Sequence, residues 1–419
     1  MGGLQWAVDA YLVAFSALLL SAGALSDRVG ARRTFALGLA AFAVASLVCG
    51  AAPSLAVLLG ARVAQGAAAA LLLPASLALV RQAYDDPGER TRAIATWIAL
   101  GGVAAALGPV LGGVATDAVG WRAIFLVNVP AGLAALALLR GVAPSEPRPA
   151  ALDLPGQLAA VVAVAALVGG MIEGGRRGFG APLPVASLTL ALVATVLSLA
   201  RARRAPAPLL PPALLADPRV HGPAFTGFVV NVAMYGLMFV LGLLFQEVLG
   251  LRPPAAGLAF LPMTGLVAVA NVLSGRLAAR HGPRLPLLAG HALVTVALLP
   301  LLLVGADTPL ALIALVLVPI GFGGAVVIPA MTAAMMEAVP PEQAGLAAGL
   351  LNASRQLGGA VGVAGFGALL HDDVVAGLHA AAAICVVLLL VSAVGAARAT
   401  GAPVLPAWQS RPPCGSTTT

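Results

Sequence analysis

Long apolar runs separated by short polar gaps follow one another along almost the whole of this 419-residue chain. A helix needs about 20 such residues to cross a bilayer core of roughly 30 Å. The runs read as thirteen spans: Leu4–Ser26, Thr34–Ala52, Leu55–Val80, Ala93–Thr116, Trp121–Leu139, Leu154–Ile172, Leu183–Ala200, Pro223–Val248, Ala255–Gly275, Pro286–Val304, Pro309–Met336, Ala344–Leu370 and Leu378–Ala397. Backbone facing lipid must pair its own polar groups, and runs this long and continuously apolar suit helices rather than the short alternating strands of a barrel. Charged residues make up 9% of the chain and mean hydropathy is +1.01, too little polar surface for a water-soluble domain of this length. The predicted fold class is an all-α polytopic membrane protein with 13 transmembrane helices.

The formal net charge of +7 could suggest nucleic acid, but the placement of charge argues for topology instead. All 23 basic residues are arginine. Arg62 and Arg355 fall inside spans; of the rest, Arg122, Arg176, Arg177 and Arg252 occupy one set of alternate gaps, and the remaining 17 occupy the other. By the positive-inside rule the arginine-rich side is cytoplasmic. That places the C-terminus in the cytoplasm and Met1 outside, with the lipid bilayer, not nucleic acid, as the surrounding partner. The first span has no basic region before it and is too long for a cleavable signal peptide. Residues 401–419, rich in Pro, Ser and Thr, read as a disordered cytoplasmic tail.

An internal repeat organises the spans. Gly23, Leu25, Arg28, Gly30 and Arg32 recur 252 residues later as Gly275, Leu277, Arg280, Gly282 and Arg284. Gly66, eight residues before Pro74-Ala75, has a counterpart in Gly321, eight before Pro329-Ala330, at an offset of 255. Two matches at nearly one offset predict two homologous bundles, the duplication found in many secondary transporters. The predicted division is an N-terminal bundle of five spans over 1–140, two linker helices over 141–204 and a six-helix bundle over 205–400. Six plus two plus six spans would be symmetric, so the expectation is that an in-frame apolar span containing an aspartate precedes Met1; the other reading is a truncated, non-transporting relative.

Three motifs carry chemistry. Arg62 lies within a span beside Gln65 and Gly66, where a charge costs at least about 2.5 kcal/mol on insertion scales. It should face a cavity or a partner, setting the protonation of a nearby carboxylate or touching substrate; snorkelling to an interface is the alternative. Asp27, Arg28, Gly30, Arg32 and Arg33, with Gly23 before them, form a tight charged loop suited to latching helices as a cytoplasmic gate. In the fourth span, Gly108 and Gly112 form a GxxxG face permitting close helix approach, followed by Gly113, while Pro109 kinks the helix. Other polar residues in or beside spans, Asp9, Tyr11, Asn128, Asn231, Gln246 and Gln356, are cavity candidates, as interhelical hydrogen bonding is equally. No nucleotide-binding loop, His/Cys metal cluster or catalytic triad is legible, so neither an enzyme, a metal site nor a cofactor is expected.

The chain resembles the major facilitator superfamily, specifically its fourteen-helix drug:proton antiporter family. Gly23, Asp27, Arg28, Gly30, Arg32 and Arg33 match that family's loop between helices two and three. Arg62, Gln65 and Gly66 match its fourth-helix motif, linked to proton coupling, and Gly108, Pro109, Gly112 and Gly113 match its antiporter signature. Gln5-Trp6 with Ala10-Tyr11, Trp121-Arg122 through Phe125 and Asn128-Val-Pro130, Gln246, and Arg355-Gln356 with Gly358-Gly359 are similar to further family segments. The family's first helix, with its membrane aspartate, has no match after Met1. The resemblance implies a two-bundle fold with two extra central helices, in the bacterial plasma (inner) membrane. It implies a monomer that exports small amphipathic compounds or drugs in exchange for protons by alternating access. A dedicated exporter of one metabolite or antibiotic is the alternative within transport.

Overall fold

The computed structural model describes residues 2–84, 86–145, 153–205, 214, 216–339, 344–370 and 373–401; Arg148, Arg411 and the predicted tail beyond residue 401 lie outside the described residues. Regular structure among the described residues is helical throughout. In chain order the helices are α1 (Gly2–Val29), α2 (Ala31–Ala51), α3 (Leu55–Ala83), α4 (Pro87–Val119), α5 (Ala123–Gly141, broken at Val127), α6 (Leu154–Arg177) and α7 (Pro182–Ala202). They continue as α8 (Pro218–Val248, ending in a π-turn), α9 (Pro253–His281), α10 (Arg284–Leu303), α11 (Leu310–Glu337), α12 (Ala344–Ala368) and α13 (Val374–Gly401).

Eleven of these are long and apolar enough to cross a membrane. The two other predicted spans also form helices: α1, and α12, which carries Asn352, Ser354, Arg355 and Gln356. These two pack against each other and against α6, so part of each is turned to protein rather than lipid. Many large apolar side chains elsewhere are bare, such as Leu37, Leu111 and Leu192. Exposed apolar surface on this scale marks the lipid-facing side of a membrane protein.

Helix ends follow local rules. Ser54, Asp86, Asp153 and Asp217 each accept a backbone N–H at the start of the following helix, and several helices open on proline. Asp217 also pairs with Arg219 at 2.9 Å, and that side-chain hydrogen bond holds its carboxyl below the usual carboxylate range. The two repeat glycines both break a helix with positive φ, Gly30 at 95° and Gly282 at 76°.

Packing repeats as well. A Cβ at Gly66 of α3 would fall on the carbonyl of Tyr11 in α1, and one at Gly321 of α11 would fall on the carbonyl of Met263 in α9. Tyr11 and Met263 are 252 positions apart, the offset of the loop repeat. A helix therefore lies on the helix two before it in both halves, through a glycine at the same place. The largest buried apolar cluster runs from Leu214 to Ala396, through α8 to α13. A smaller one joins α1 and α3 through Phe15, Leu19, Ala69 and Ala70. A third joins Leu12 and Val13 of α1 to Val168 and Ile172 of α6 and Ala360 and Ala364 of α12. Gln157 of α6 accepts from the Ser21 hydroxyl and donates to the Ala17 carbonyl, tying α6 to α1.

Candidate functional site

Arg62 sits about two turns into α3, and its side chain is bound from three sides. Nε donates to the Ala7 carbonyl of α1 at 2.7 Å, and Nη1 donates to Gln65 Oε1 at 2.6 Å. Arg62 and Gln65 are three apart on one helix face, which brings their side chains together. Gln65, 1% exposed, passes the link on: its Nε2 donates to the Ser46 hydroxyl of α2 at 2.7 Å. The guanidinium lies over the Tyr11 ring at 4.4 Å and the Phe125 ring of α5 at 5.7 Å. Carbonyl, amide and ring faces thus spread the charge, as a desolvated arginine requires. Leu317, its counterpart in the repeat, is fully buried in the large apolar cluster.

Beside Arg62 is a cavity of about 290 Å³ lined by Val8, Tyr11, Leu12, Phe15, Arg62, Tyr235 and Gln356. It brings together α1, α3, α8 and α12. Of the predicted cavity residues, Tyr11 and Gln356 line it. Asn128, Asn231 and Gln246 do not: each donates to the carbonyl four residues back on its own helix, Ile124, Gly227 and Gly242 respectively. An amide in an apolar span needs an acceptor, and the preceding turn offers one without a cavity. Asp9 lies off the lining, with no exposed surface and neither carboxyl oxygen hydrogen-bonded among the described residues. Arg62 makes no ion pair among the described residues, so the carboxylate expected beside it is not in contact here. Tyr235 escaped the sequence reading. Its signal was rarity, since it is one of only three tyrosines and sits within a span.

The charged loop after α1 works through Arg32. Its Nε and Nη2 donate to the carbonyls of Leu139 and Arg140, both at 3.3 Å, capping the last turn of α5 where cations are favoured. Its backbone N–H meets the Ser145 hydroxyl, which donates to Gln82 of α3 at 2.6 Å. A side chain at Gly30 would collide with the Ser145 carbonyl, 2.7 Å from its Cβ. Arg28 and Arg33 are exposed, and a Cβ at Gly23 would meet nothing within 4 Å among the described residues. The Asp27 side chain lies outside what the structure describes.

The glycine-rich stretch of α4 packs on α9, but not through the expected face. Among the described residues, nothing comes within 4 Å of a Cβ at Gly108 or Gly112. The close approach belongs to Gly113, where a Cβ would strike the Pro253 carbonyl, and is returned by Gly257, where one would strike the Pro109 carbonyl. The helical register turns Gly113, one residue on, into the seam and Gly112 away from it. Pro109 lies within α4 without ending it. Arg252 Nη2 bonds Asp117 at 2.8 Å at the same end of the seam. The α1–α12 seam is closed near Gln5, whose side chain fills the space beside Gly367.

The family model described as Major Facilitator Superfamily matches residues 2–363. The methylenomycin A resistance protein of Streptomyces coelicolor is 38% identical over 370 residues, covering 88% of this chain and 78% of that protein. Multidrug resistance protein Stp of Mycobacterium tuberculosis is 38% identical over 370 residues, 88% and 69% of the two chains. Drug efflux pump JefA of the same species is 40% identical over 372 residues, 88% and 73%.

Proposed function

The chain belongs to the Major Facilitator Superfamily, and from that premise we propose that it exports small drugs or antibiotics from a bacterial cell in exchange for protons. It is a multi-pass membrane transporter and not an enzyme. Similar proteins carry names of resistance and efflux, and this supports a drug as the cargo. The proposed mechanism is alternating access, with the bundles over 1–140 and 205–400 rocking about the cavity and residues 141–204 bridging them. The repeated glycine contacts at Gly66 and Gly321 favour two bodies of one design. The arginine split favours a cytoplasmic C-terminus and the inner membrane. On that reading the α4–α9 and α1–α12 seams are closed on the outer side, the side of Asp117, Arg252 and Gln5.

The observation that carries the proposal is Arg62 at the cavity wall. It grips α1 through Ala7 and Tyr11, and the same helix holds Asp9 two residues after Ala7. A carboxyl group buried without partners is stable in the membrane only as the neutral acid. Losing its proton, Asp9 would need a cation, and Arg62 is already bound to its helix. Asp9 lies about 200° round α1 from Ala7, so exchanging Ala7 and Tyr11 for Asp9 as partners of Arg62 would turn α1 by nearly half a revolution against α3. Proton release and helix movement would then be one event.

Respiring inside-out vesicles acidify their lumen, and a proton-coupled exporter raises lumenal pH when its substrate is added. The panel would include methylenomycin A, tetracenomycin C and puromycin, after which similar resistance proteins are named. Arg62→Ala is expected to insert normally, since removing a charge favours the span, and to abolish this response. Arg62→Lys is expected to restore only part of it, because an ammonium cannot bond Ala7 and Gln65 while stacking on Tyr11. Vesicles with Arg62→Ala that respond at the parental rate would make Arg62 merely structural.

A further inference from the structure

Two arginines stand within spans of this chain, and neither makes an ion pair among the described residues. The ion pairs that are formed, those of Glu173, Asp153, Asp217 and Asp117, all lie at helix ends. Arg62 leaves Nη2 without a protein partner among the described residues while it lines the cavity. Arg355 is not on the lining but lies on α12 next to Gln356, which is. Its stem rests against Gly227 of α8, its Nε is buried with no hydrogen-bond partner among the described residues, and it lies within electrostatic reach of the lining Tyr235. No lining residue carries a negative charge. Apart from the Gln356 amide, the walls are otherwise aromatic and apolar, with Tyr11, Phe15 and Tyr235 at hand.

We propose that the cavity takes a monovalent organic anion: a planar apolar body held between the tyrosines, with one carboxylate or equivalent oxyanion drawn to Arg62 and Arg355. Guanidinium donors match a carboxylate in shape as well as charge, and their attraction is strong where water is excluded. A cationic drug entering the same space would face two like charges and no acid. An inorganic anion would meet the charges but leave the rings without contact. At about 290 Å³ the space is near the lower end for drug-sized ligands, so it suits a compound of two or three fused rings rather than a macrocycle. The assignment rests on the exporter reading only in calling this cavity the cargo site.

The test is binding of three probes of one shape to the purified full chain in nanodiscs: 2-naphthoate, 2-naphthamide and 2-naphthylmethylammonium. Naphthoate is expected to bind roughly tenfold or more tighter than either of the others, the factor one charge-assisted hydrogen bond supplies. Arg355→Gln is expected to reduce that ratio severalfold, and Arg355→Lys to retain part of it. Monodisperse elution of each variant separates a lost preference from a lost fold, and Gln356→Glu gives a second route, since an acid at the wall should lower the ratio without touching either arginine. Equal or tighter binding of the ammonium, an unchanged ratio in both Arg355→Gln and Gln356→Glu, or displacement of naphthoate by equimolar chloride would overturn the proposal. Drug resistance of cells expressing the protein separates the two readings. Resistance without an anion preference would remove the anion site alone, whereas a preference without resistance or proton movement would remove the exporter and leave the site.

Discussion

At the residue scale, the two ionisable side chains Asp9 of α1 and Arg62 of α3 are handled in opposite ways. Arg62 is surrounded by acceptors and ring faces that spread its charge. Asp9 has none, though both its oxygens are buried. Burying a polar group without partners costs on the order of 1–3 kcal/mol by mutational measure, and an ionised one far more. Such a residue is costly to keep for structure alone, which favours a working role. Asp9→Asn, which preserves shape but cannot exchange a proton, separates the two. It is expected to leave the melting temperature within about 2 °C of the parent, because an amide in the same unpartnered place costs a similar amount. It is also expected to abolish proton movement in response to substrate. A variant that melts much lower and still moves protons would assign Asp9 to structure.

At the element scale, helix contacts depend on single glycines rather than on apolar area. Lipid is as apolar as a leucine side chain, so helices gain little by leaving it and associate through close backbone approach. Gly66→Ala would place a carbon on the Tyr11 carbonyl, which only separation of α1 and α3 can relieve. It is expected to cost about 1–3 kcal/mol, as overpacking does, read as a lower melting temperature, and to weaken the hold of Arg62 on α1. Gly60→Ala on the same helix meets nothing and is the matched control; equal melting of the two would remove the contact from the account. The same dependence explains what the sequence could disclose. Span positions were legible because hydropathy is set by lipid, residue by residue. The helix α12, outside the eleven long apolar ones, carries Asn352, Arg355 and Gln356 and packs on α1, α6 and α8. The GxxxG spacing announced a contact on α4, yet whether Gly112 or Gly113 makes it depends on a rotation of about 100° per residue that only the partner α9 decides. Asn231 and Gln246 were equally ambiguous, since an amide bonded to its own helix and one facing a cavity have the same surroundings in sequence. Arg62 was legible because a membrane charge is too costly to be incidental.

At the scale of the whole molecule, the signs of the moving charges determine how the membrane potential acts on transport. With one proton entering for each molecule of cargo leaving, a monovalent cation gives no net charge movement. A neutral cargo gives one positive charge inward. An anion leaving while a proton enters gives two, because both displacements carry charge in the same sense. Each elementary charge is worth about 2.3 kcal/mol per 100 mV, so anion export would draw about 4.6 kcal/mol per 100 mV from the potential alone. This would let a cavity with Arg62 on its wall, Arg355 close behind it and no acid in its lining drive strong export even where the pH gradient is small. Reconstituted protein with equal pH on both sides and a potassium diffusion potential isolates this effect. A potential negative on the arginine-rich face is expected to drive 2-naphthoate away from that face, and reversing the potential should reverse the flux. Movement of 2-naphthylmethylammonium, if it enters at all, should ignore the potential, and 2-naphthamide should fall between. Arg62→Ala, uncoupled from protons, should lose the naphthoate response. Naphthoate flux that does not change with potential would contradict the exchange of an anion for a proton, whatever the binding preference of the cavity.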